Sequence, residues 1–171
     1  ATTAKSRQGL FESDFRLLES AQPGLVKLRT FLEDAVRLAV ANVNNALGEL
    51  KRIRPRIVES WFHITNDGGF HDAHYHHQCS WCGIYYLQAG ECQGTDAAGP
   101  GNGVNRFYSP LPSGGAYFDY GNNYLANNRA DIVPTDGLAL LFPSYLLHSA
   151  LAYRGHKDRI TISFNSQVTL E

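Results

Sequence analysis

Histidines concentrate in one short segment of the chain. Four of the seven histidines lie in the run Gly-Phe-His-Asp-Ala-His-Tyr-His-His that ends at His77. If this segment is an extended strand, side chains two residues apart point to the same face, and His74 and His76 then share a face with Asp72. Neutral imidazoles suit Fe, Zn, Cu and Ni. We therefore predict a metal site at His74 and His76, with Asp72 as an alternative ligand.

A further imidazole comes from a distant and strongly apolar run. His148 ends the segment Leu-Phe-Pro-Ser-Tyr-Leu-Leu-His. Nothing nearby in the sequence would satisfy its two ring nitrogens, so the side chain is either a buried histidine bonded to a backbone carbonyl or a metal ligand. We predict that His148 completes the metal site.

Eleven residues after His148, a strand-like segment carries polar side chains on one face. Arg159, Thr161, Ser163 and Asn165 alternate with three apolar residues. If the polar face points inward, the guanidinium of Arg159 requires an anion, because an unpaired buried charge is costly. A guanidinium is well suited to a carboxylate, and the hydroxyl of Thr161 can assist it.

Two sequence patterns divide the chain. Residues 10–18 and 25–50 have apolar side chains at three- and four-residue steps, which predicts helices. Beyond Pro55, runs rich in β-branched and aromatic residues predict strands at 56–65, 73–75, 80–88, 103–108, 116–120, 137–142, 147–153 and 159–170, with loops at 91–103 and 120–129. We predict one α+β, mainly β domain over residues 1–171, with a helical part (1–55) and a β-sandwich or barrel (56–171).

The overall composition limits the possible partners. The chain has 171 residues, 43% of them hydrophobic, and a formal net charge of −1. We expect no nucleic-acid or membrane partner, because there is no basic block and no apolar run near the about 20 residues that span a bilayer. The N-terminal residues lack the apolar segment of a secretory signal, which favours a cytoplasmic location. The oligomeric state is not encoded in any visible pattern.

The motifs together resemble a known group of enzymes. His74-x-His76 followed by Cys-Gly-Ile-Tyr-Tyr-Leu, then the run that ends at His148, then Arg159-Ile-Thr-Ile-Ser-Phe-Asn165, is similar to the Fe(II)/2-oxoglutarate-dependent oxygenase superfamily, in a branch with a His-x-His motif. The resemblance covers residues 61–165. It implies a double-stranded β-helix, also called a jelly roll or cupin-like fold, with N-terminal helices packed on one sheet.

The resemblance also implies an activity and cofactors. Members bind Fe(II) and 2-oxoglutarate, use O₂ as co-substrate, and usually hydroxylate a C–H bond with release of succinate and CO₂. The implied metal ligands are His74, His76 and His148. Residues expected at the 2-oxoglutarate are Arg159, Thr161, Tyr85 and Asn165, and residues expected near the reacting substrate are Trp81, Tyr86, Asn105 and Arg106. A small molecule, an amino acid or a peptide is the expected substrate.

One position departs from the superfamily pattern. Most members have His-x-Asp or His-x-Glu plus a distal histidine, whereas position 76 here is histidine. Three arrangements stay open: an all-imidazole site, a site in which Asp72 supplies the carboxylate, and a site in which only His74 and His148 bind. An all-imidazole site lacks one negative charge and should therefore hold its metal less tightly.

Two other functions remain as alternatives at this point. The first is a cupin-like metal-dependent dioxygenase or isomerase that does not use 2-oxoglutarate. The second is a jelly-roll binding module in which the histidines hold a structural zinc ion in a closed tetrahedral site. The spacing between His148 and Arg159 favours the 2-oxoglutarate oxygenase over both.

Overall fold

The computed structural model describes residues 5–94, 101–110, 120–121 and 129–171. One α-helix, α1, spans Pro23–Val43, and short 3₁₀ helices span Leu17–Glu19 and Leu47–Glu49. The described strands are β1 (Lys5–Arg7), β2 (Leu10–Glu12), β3 (Ile53–Thr65), β4 (Gly69–His74), β5 (Trp81–Gln88), β6 (Asn105–Tyr108), β7 (Arg129–Ile132), β8 (Ala139–Pro143), β9 (His148–Tyr153) and β10 (Arg159–Leu170).

These strands form two antiparallel sheets. The larger sheet has the order β1-β2-β3-β10-β5-β8, and the smaller has the order β4-β9-β6-β7. The last strand of the chain, β10, therefore lies between β3 and β5, far from both in sequence. Two antiparallel sheets with such long connections form a jelly roll. The predicted fold class, mainly β with a jelly-roll core, is confirmed. Of the N-terminal helices predicted to pack on one sheet, the described residues form one α-helix, and it does pack there.

Helix α1 covers the outer face of the larger sheet. Its residues Leu32, Val36, Val40 and Ala41 are buried at helical spacing. They pack on the apolar side chains Ile53, Ile57 and Phe164 of β3 and β10. This leaves the inner face of the same sheet, turned toward the smaller sheet, for polar residues. No helix among the described ranges has the length and apolar character needed to cross a bilayer.

The N-terminal third differs from the sequence prediction. Residues 10–18 do not form an α-helix: they contain strand β2 and the start of the 3₁₀ helix Leu17–Glu19. The predicted long helix ends at Val43 instead of Leu50, since Asn45 adopts a positive φ of 52°, a conformation that asparagine tolerates better than most residues. Most of the strand predicted at 116–120, and most of the loop predicted at 120–129, lie outside the described residues. Residues 95–100 of the loop predicted at 91–103 lie outside them too.

A β-bulge in β3 moves side chains between the two faces of the larger sheet. Asn165 on β10 pairs with Glu59, but the next residue, Ser166, pairs with Ile57, so one residue of β3 is extra. Ile57 consequently packs under the helix, while Glu59 points to the space between the sheets. Simple alternation would have placed both on the same face.

A second irregularity lies in β4. His71 pairs with Ala150 of β9, and His74 pairs with His148, so three residues of β4 match two of β9. The sequence prediction placed His71 and His74 on opposite faces. That prediction is wrong. The extra residue turns His71 to the same side as His74, and both side chains line the space between the sheets.

Gly83 provides a test of the packing between β5 and β10. A Cβ atom at Gly83 would lie 2.4 Å from the ring of Phe164 and 2.9 Å from Leu141 Cδ2. We expect Gly83→Ala to lower the free energy of unfolding by about 1–3 kcal/mol, as measured by urea denaturation. The matched control is Gly24→Ala, because a Cβ at Gly24 in α1 would meet no atom within 4 Å and alanine favours a helix. Equal stabilities of the two variants would contradict this description of the packing.

Candidate functional site

A cavity of about 440 Å³ opens between the two sheets. The inner face of the larger sheet contributes Arg159 and Thr161, and the smaller sheet contributes His74 and His148. His76, in the segment after β4, also lines the cavity. The fold thus brings these five predicted residues together in one cavity.

The three imidazoles at one end of the cavity form a compact group. His74 and His148 are opposite each other across the β4–β9 pair. The ring centroids of His74, His76 and His148 are 4.4–5.3 Å apart. One ring nitrogen from each residue lies within 4.8 Å of the others. Such a spacing suits three ligands on one face of a metal ion.

Hydrogen bonds fix the orientation of each ring. The Nδ1 atom of His74 lies 2.6 Å from the carbonyl oxygen of Asp72, and Nδ1 of His148 lies 2.9 Å from that of Leu146. The Nδ1 atom of His76 lies 2.6 Å from Asn165 Oδ1. Each Nδ1–H can donate to an oxygen, which leaves Nε2 with a free lone pair, the form that binds a metal.

The protonation states of His76 and His148 also suit metal binding. Burial lowers the pKa of His148 to about 4 and lowers the pKa of His76. The neutral form is therefore favoured, and only the neutral imidazole coordinates a metal. Within the described part of the chain, His76 Nε2 is a buried atom without a hydrogen-bond partner. A metal ion at this group would supply the missing interaction.

The alternative ligand Asp72 has a different environment. Asp72 is exposed, and its Oδ1 accepts a hydrogen bond from the backbone N–H of Ala73. The group of ligand atoms within 4.8 Å of one another contains His76 and not Asp72. Of the three arrangements that the sequence left open, the geometry favours the all-imidazole site.

Arg159 is buried at another part of the cavity wall, with only 3% of its surface exposed. Its Nη2 donates to Asn105 Oδ1 over 2.6 Å. Its Nε is buried, and no acceptor among the described residues reaches it. No described carboxylate lies within the 4.0 Å of an ion pair with Arg159. A buried guanidinium with so few partners is costly, and an anionic ligand would stabilise it.

The surroundings of Arg159 are arranged by two further polar residues. Tyr86 donates its hydroxyl to Asn105 Oδ1 over 2.6 Å, and its ring centroid lies 5.5 Å from Arg159 Cζ. Burial raises the pKa of Tyr86 to about 12, so the hydroxyl stays protonated and remains a donor. Thr161 is opposite Tyr86 across β10 and β5. Tyr86 and Asn105, expected near the reacting substrate, thus lie beside the guanidinium.

A comparison with known protein families identifies the chain. The family model described as "Putative 2OG-Fe(II) oxygenase" matches residues 59–165, which is more than half of the chain. The chain belongs to the 2OG-Fe(II) oxygenase family. It is therefore an oxygenase of the kind that uses Fe(II) and 2-oxoglutarate. A search of curated protein sequences finds no significant match.

Solved structures share the fold of this oxygenase. An oxidoreductase of the 2OG-Fe(II) oxygenase family from Burkholderia pseudomallei aligns with a TM-score of 0.59 and 12% identity, over 96% of this chain and 71% of that one. A prolyl-4-hydroxylase from Pseudomonas putida gives 0.56 and 18%, over 92% and 69%. HygX from Streptomyces hygroscopicus, solved with nickel and 2-oxoglutarate bound, gives 0.55 and 14%, over 96% and 72%.

Three residues predicted at the oxygenase site are placed elsewhere by the structure. Tyr85 and Trp81 pack against the apolar cluster under α1, because alternation along β5 turns Tyr86 inward and its neighbour outward. Arg106 forms a bidentate ion pair with Asp131, at 2.7 and 2.9 Å. It does not line the cavity, because Asn105, the preceding residue on β6, takes the inward position.

Asn165 lies at the end of the cavity that holds the three imidazoles, although the sequence prediction assigned it to 2-oxoglutarate. Its Oδ1 accepts from His76, and its Nδ2 donates to Glu59 Oε2 over 2.7 Å. Glu59 was not identified from the sequence. Only the bulge in β3 brings it to the inner face, and no local pattern marks that bulge.

Replacing Asn165 should weaken metal binding without removing a ligand. In Asn165→Leu, the Nδ1–H of His76 loses its acceptor and the ring loses its fixed orientation. We expect about a 10- to 100-fold loss of Fe(II) affinity, the usual effect of removing the hydrogen-bond partner of a ligating histidine. Anaerobic equilibrium dialysis would measure it, with Ser163→Ala on the same strand face as the control. An unchanged affinity in Asn165→Leu would show that this hydrogen bond does not position His76.

Proposed function

We propose that this oxygenase hydroxylates a C–H bond of a small-molecule, amino-acid or peptide substrate, with His74, His76 and His148 holding Fe(II) and Arg159 holding the distal carboxylate of 2-oxoglutarate. The observation that carries the assignment is the pairing, in one cavity, of two groups. One is a buried guanidinium with no ion-pair partner among the described residues, and the other is a set of three imidazoles whose ligand atoms converge. The guanidinium requires an anion, which 2-oxoglutarate would supply, and the imidazoles require a cation, which Fe(II) would supply.

The residues around Arg159 have a defined task in this proposal. Bound iron supplies the activation of O₂, coupled to oxidative decarboxylation of the keto acid. The guanidinium binds the distal carboxylate through charge-assisted hydrogen bonds, and its free Nε is available for one of them. Asn105 holds the guanidinium in place through its Oδ1. Thr161, buried on the same strand face, offers a hydroxyl to the same carboxylate.

Aromatic side chains surround His148 and limit the access of water to the iron end. The rings of Phe142 and Phe107 lie 4.6 and 5.8 Å from the His148 ring, measured between centroids. Both phenylalanines are buried. An apolar wall next to a metal strengthens electrostatic interactions inside the cavity and protects reactive species from water.

The charges in the cavity predict that metal and co-substrate support each other's binding. Three neutral imidazoles leave the full charge of Fe(II) uncompensated, and Arg159 adds another positive charge. The dianion 2-oxoglutarate offsets two of these three positive charges, so metal and co-substrate should each raise the affinity for the other by the same factor. In most members of the superfamily, a protein carboxylate supplies negative charge at the metal. In this proposal 2-oxoglutarate supplies that charge instead.

An anaerobic titration tests the proposal. Apo-protein is mixed with Fe(II) and then with 2-oxoglutarate, and the visible metal-to-ligand charge-transfer band of the chelate is recorded. We expect a saturable band and tighter Fe(II) binding when 2-oxoglutarate is present. Iron binding without a band would contradict the proposed arrangement of the site.

Hydroxylation requires a separate measurement. Candidate substrates are added in air, and succinate formation is followed together with the mass of the substrate. A gain of one oxygen atom per succinate supports hydroxylation. A substrate that turns over without that gain would show that the oxygenase performs another oxidation.

A further inference from the structure

A second group of potential metal ligands lies beside the three imidazoles described above, with the ring of its His71 centred 5.9 Å from the ring of His74. One ligand atom each from Glu12, His63 and His71 lies within 4.8 Å of the others. All three residues line the cavity. The proposed function uses none of them.

The fold builds this group from both sheets. Glu12 on β2 is directly opposite His63 on β3 in the larger sheet. His71 comes from β4 of the smaller sheet, where the bulge turns it inward. The rings of His63 and His71 are 4.3 Å apart, measured between centroids. The group therefore sits where the two sheets meet, on the rigid frame of three strands.

The group is well shielded from solvent. The side chains of His63 and Glu12 are only 8% and 14% exposed. His71 Nε2 is buried and has no hydrogen-bond partner in the described part of the chain. A buried ring nitrogen in this situation loses its interaction with water and gains nothing in return. A bound ligand at this position would compensate for that loss.

The contacts of His63 indicate what kind of ligand fits. Its Nε2 lies 2.9 Å from Glu12 Oε2 and 3.1 Å from Trp61 Nε1. The indole N–H can only donate, and an ionised carboxylate can only accept. One ring nitrogen cannot be a donor to Glu12 and an acceptor from Trp61 at the same time. A cation that binds both the nitrogen and the carboxylate oxygen replaces the proton between these two atoms, and the indole N–H then no longer donates to Nε2.

We propose that Glu12, His63 and His71 form a second divalent-cation site with a two-histidine, one-carboxylate donor set. This set suits Fe(II), Co(II) or Zn(II). An anion is excluded as the main ligand, because the Glu12 carboxylate would repel it. The site goes beyond the proposed function, and it does not require that the three imidazoles bind iron.

The two sites differ in charge, which makes their occupancy distinguishable. Glu12 supplies one negative charge that the all-imidazole site lacks. The second site should therefore retain a divalent cation without a co-substrate, whereas the site at His148 gains affinity when 2-oxoglutarate binds.

Cobalt stoichiometry tests the second site directly. Apo-protein stripped by a chelator is titrated anaerobically with Co(II), and bound cobalt is counted by dialysis and followed by its visible ligand-field bands. We expect two cobalt ions per chain in the wild type, one in His148→Ala, one in His71→Ala, and none in the double variant. Circular dichroism establishes that each variant is folded before it is counted.

A conservative variant tests the second site with little change to the fold. Glu12→Gln keeps the shape of the side chain and removes its charge, and we expect it to weaken the second cobalt at least about 10-fold while the first is unaffected. One cobalt in the wild type and none in His148→Ala would overturn the second site and leave the first intact. Two cobalt ions in both His71→Ala and Glu12→Gln would also overturn it, because the second ion would then bind elsewhere.

Discussion

Arg159→Ala should sharply reduce the affinity for 2-oxoglutarate while leaving Fe(II) binding in place. Removing one partner of a buried charged hydrogen-bond pair costs about 2–5 kcal/mol, which corresponds to about a 30- to 4,000-fold loss of affinity. The guanidinium is 3% exposed, so water cannot take over its role. The measurement is the 2-oxoglutarate concentration that half-saturates the charge-transfer band of the Fe(II) complex.

Two control variants separate the charge of Arg159 from its packing. Arg159→Met keeps most of the volume and should lose 2-oxoglutarate binding as alanine does, but with the apo-protein's thermal midpoint preserved. Arg54→Ala removes an exposed arginine that pairs with Glu171 and should leave the band unchanged. If Arg159→Met binds 2-oxoglutarate like the wild type, the carboxylate anchor lies elsewhere in the cavity.

His148→Ala should have the largest effect on the metal. This ring is 3% exposed and contributes one of three converging ligand atoms. Removing a hydrogen-bond partner of a ligating histidine weakens metal binding about 10- to 100-fold. Removing the ligand His148 itself should weaken Fe(II) binding by more than that. Succinate formation and the charge-transfer band should both disappear at iron concentrations that saturate the wild type.

The matched control for His148→Ala is His156→Ala. His156 is exposed and does not line the cavity, so its removal should change neither iron binding nor the band. Retention of wild-type Fe(II) affinity in folded His148→Ala would refute the three-imidazole site and would direct attention to the group at Glu12.

Much of the candidate metal site is predictable from the sequence. The spacing of His74 and His76, an isolated histidine in an apolar run, and the alternation after Arg159 all survive in the structure as neighbours in one cavity. These signals work because a strand alternates with period two, so local sequence determines which side chains share a face.

The residues that sequence patterns missed depend on irregular pairing. Glu59 and His71 reach the cavity because one extra residue in β3 and one in β4 interrupt the alternation. A bulge results from pairing between distant strands, and a single strand carries no clear sign of it. Tyr85 and Tyr86 illustrate the related problem that a period of two does not show which face is inward.

The position of β10 between β3 and β5 has a consequence for how the protein folds. Register pairs such as Thr161 with His63 and Asn165 with Glu59 join residues about a hundred positions apart, and proteins dominated by such distant contacts fold slowly. The strands β1, β2 and β3 on one side of β10 and the strands β5 and β8 on the other side join into one sheet only when β10 pairs with both β3 and β5. The proposed anchor for 2-oxoglutarate and the support for His76 both lie on that strand, so cofactor binding should appear only in the final, cooperative step of folding. Iron uptake during refolding would then report completion of the whole domain.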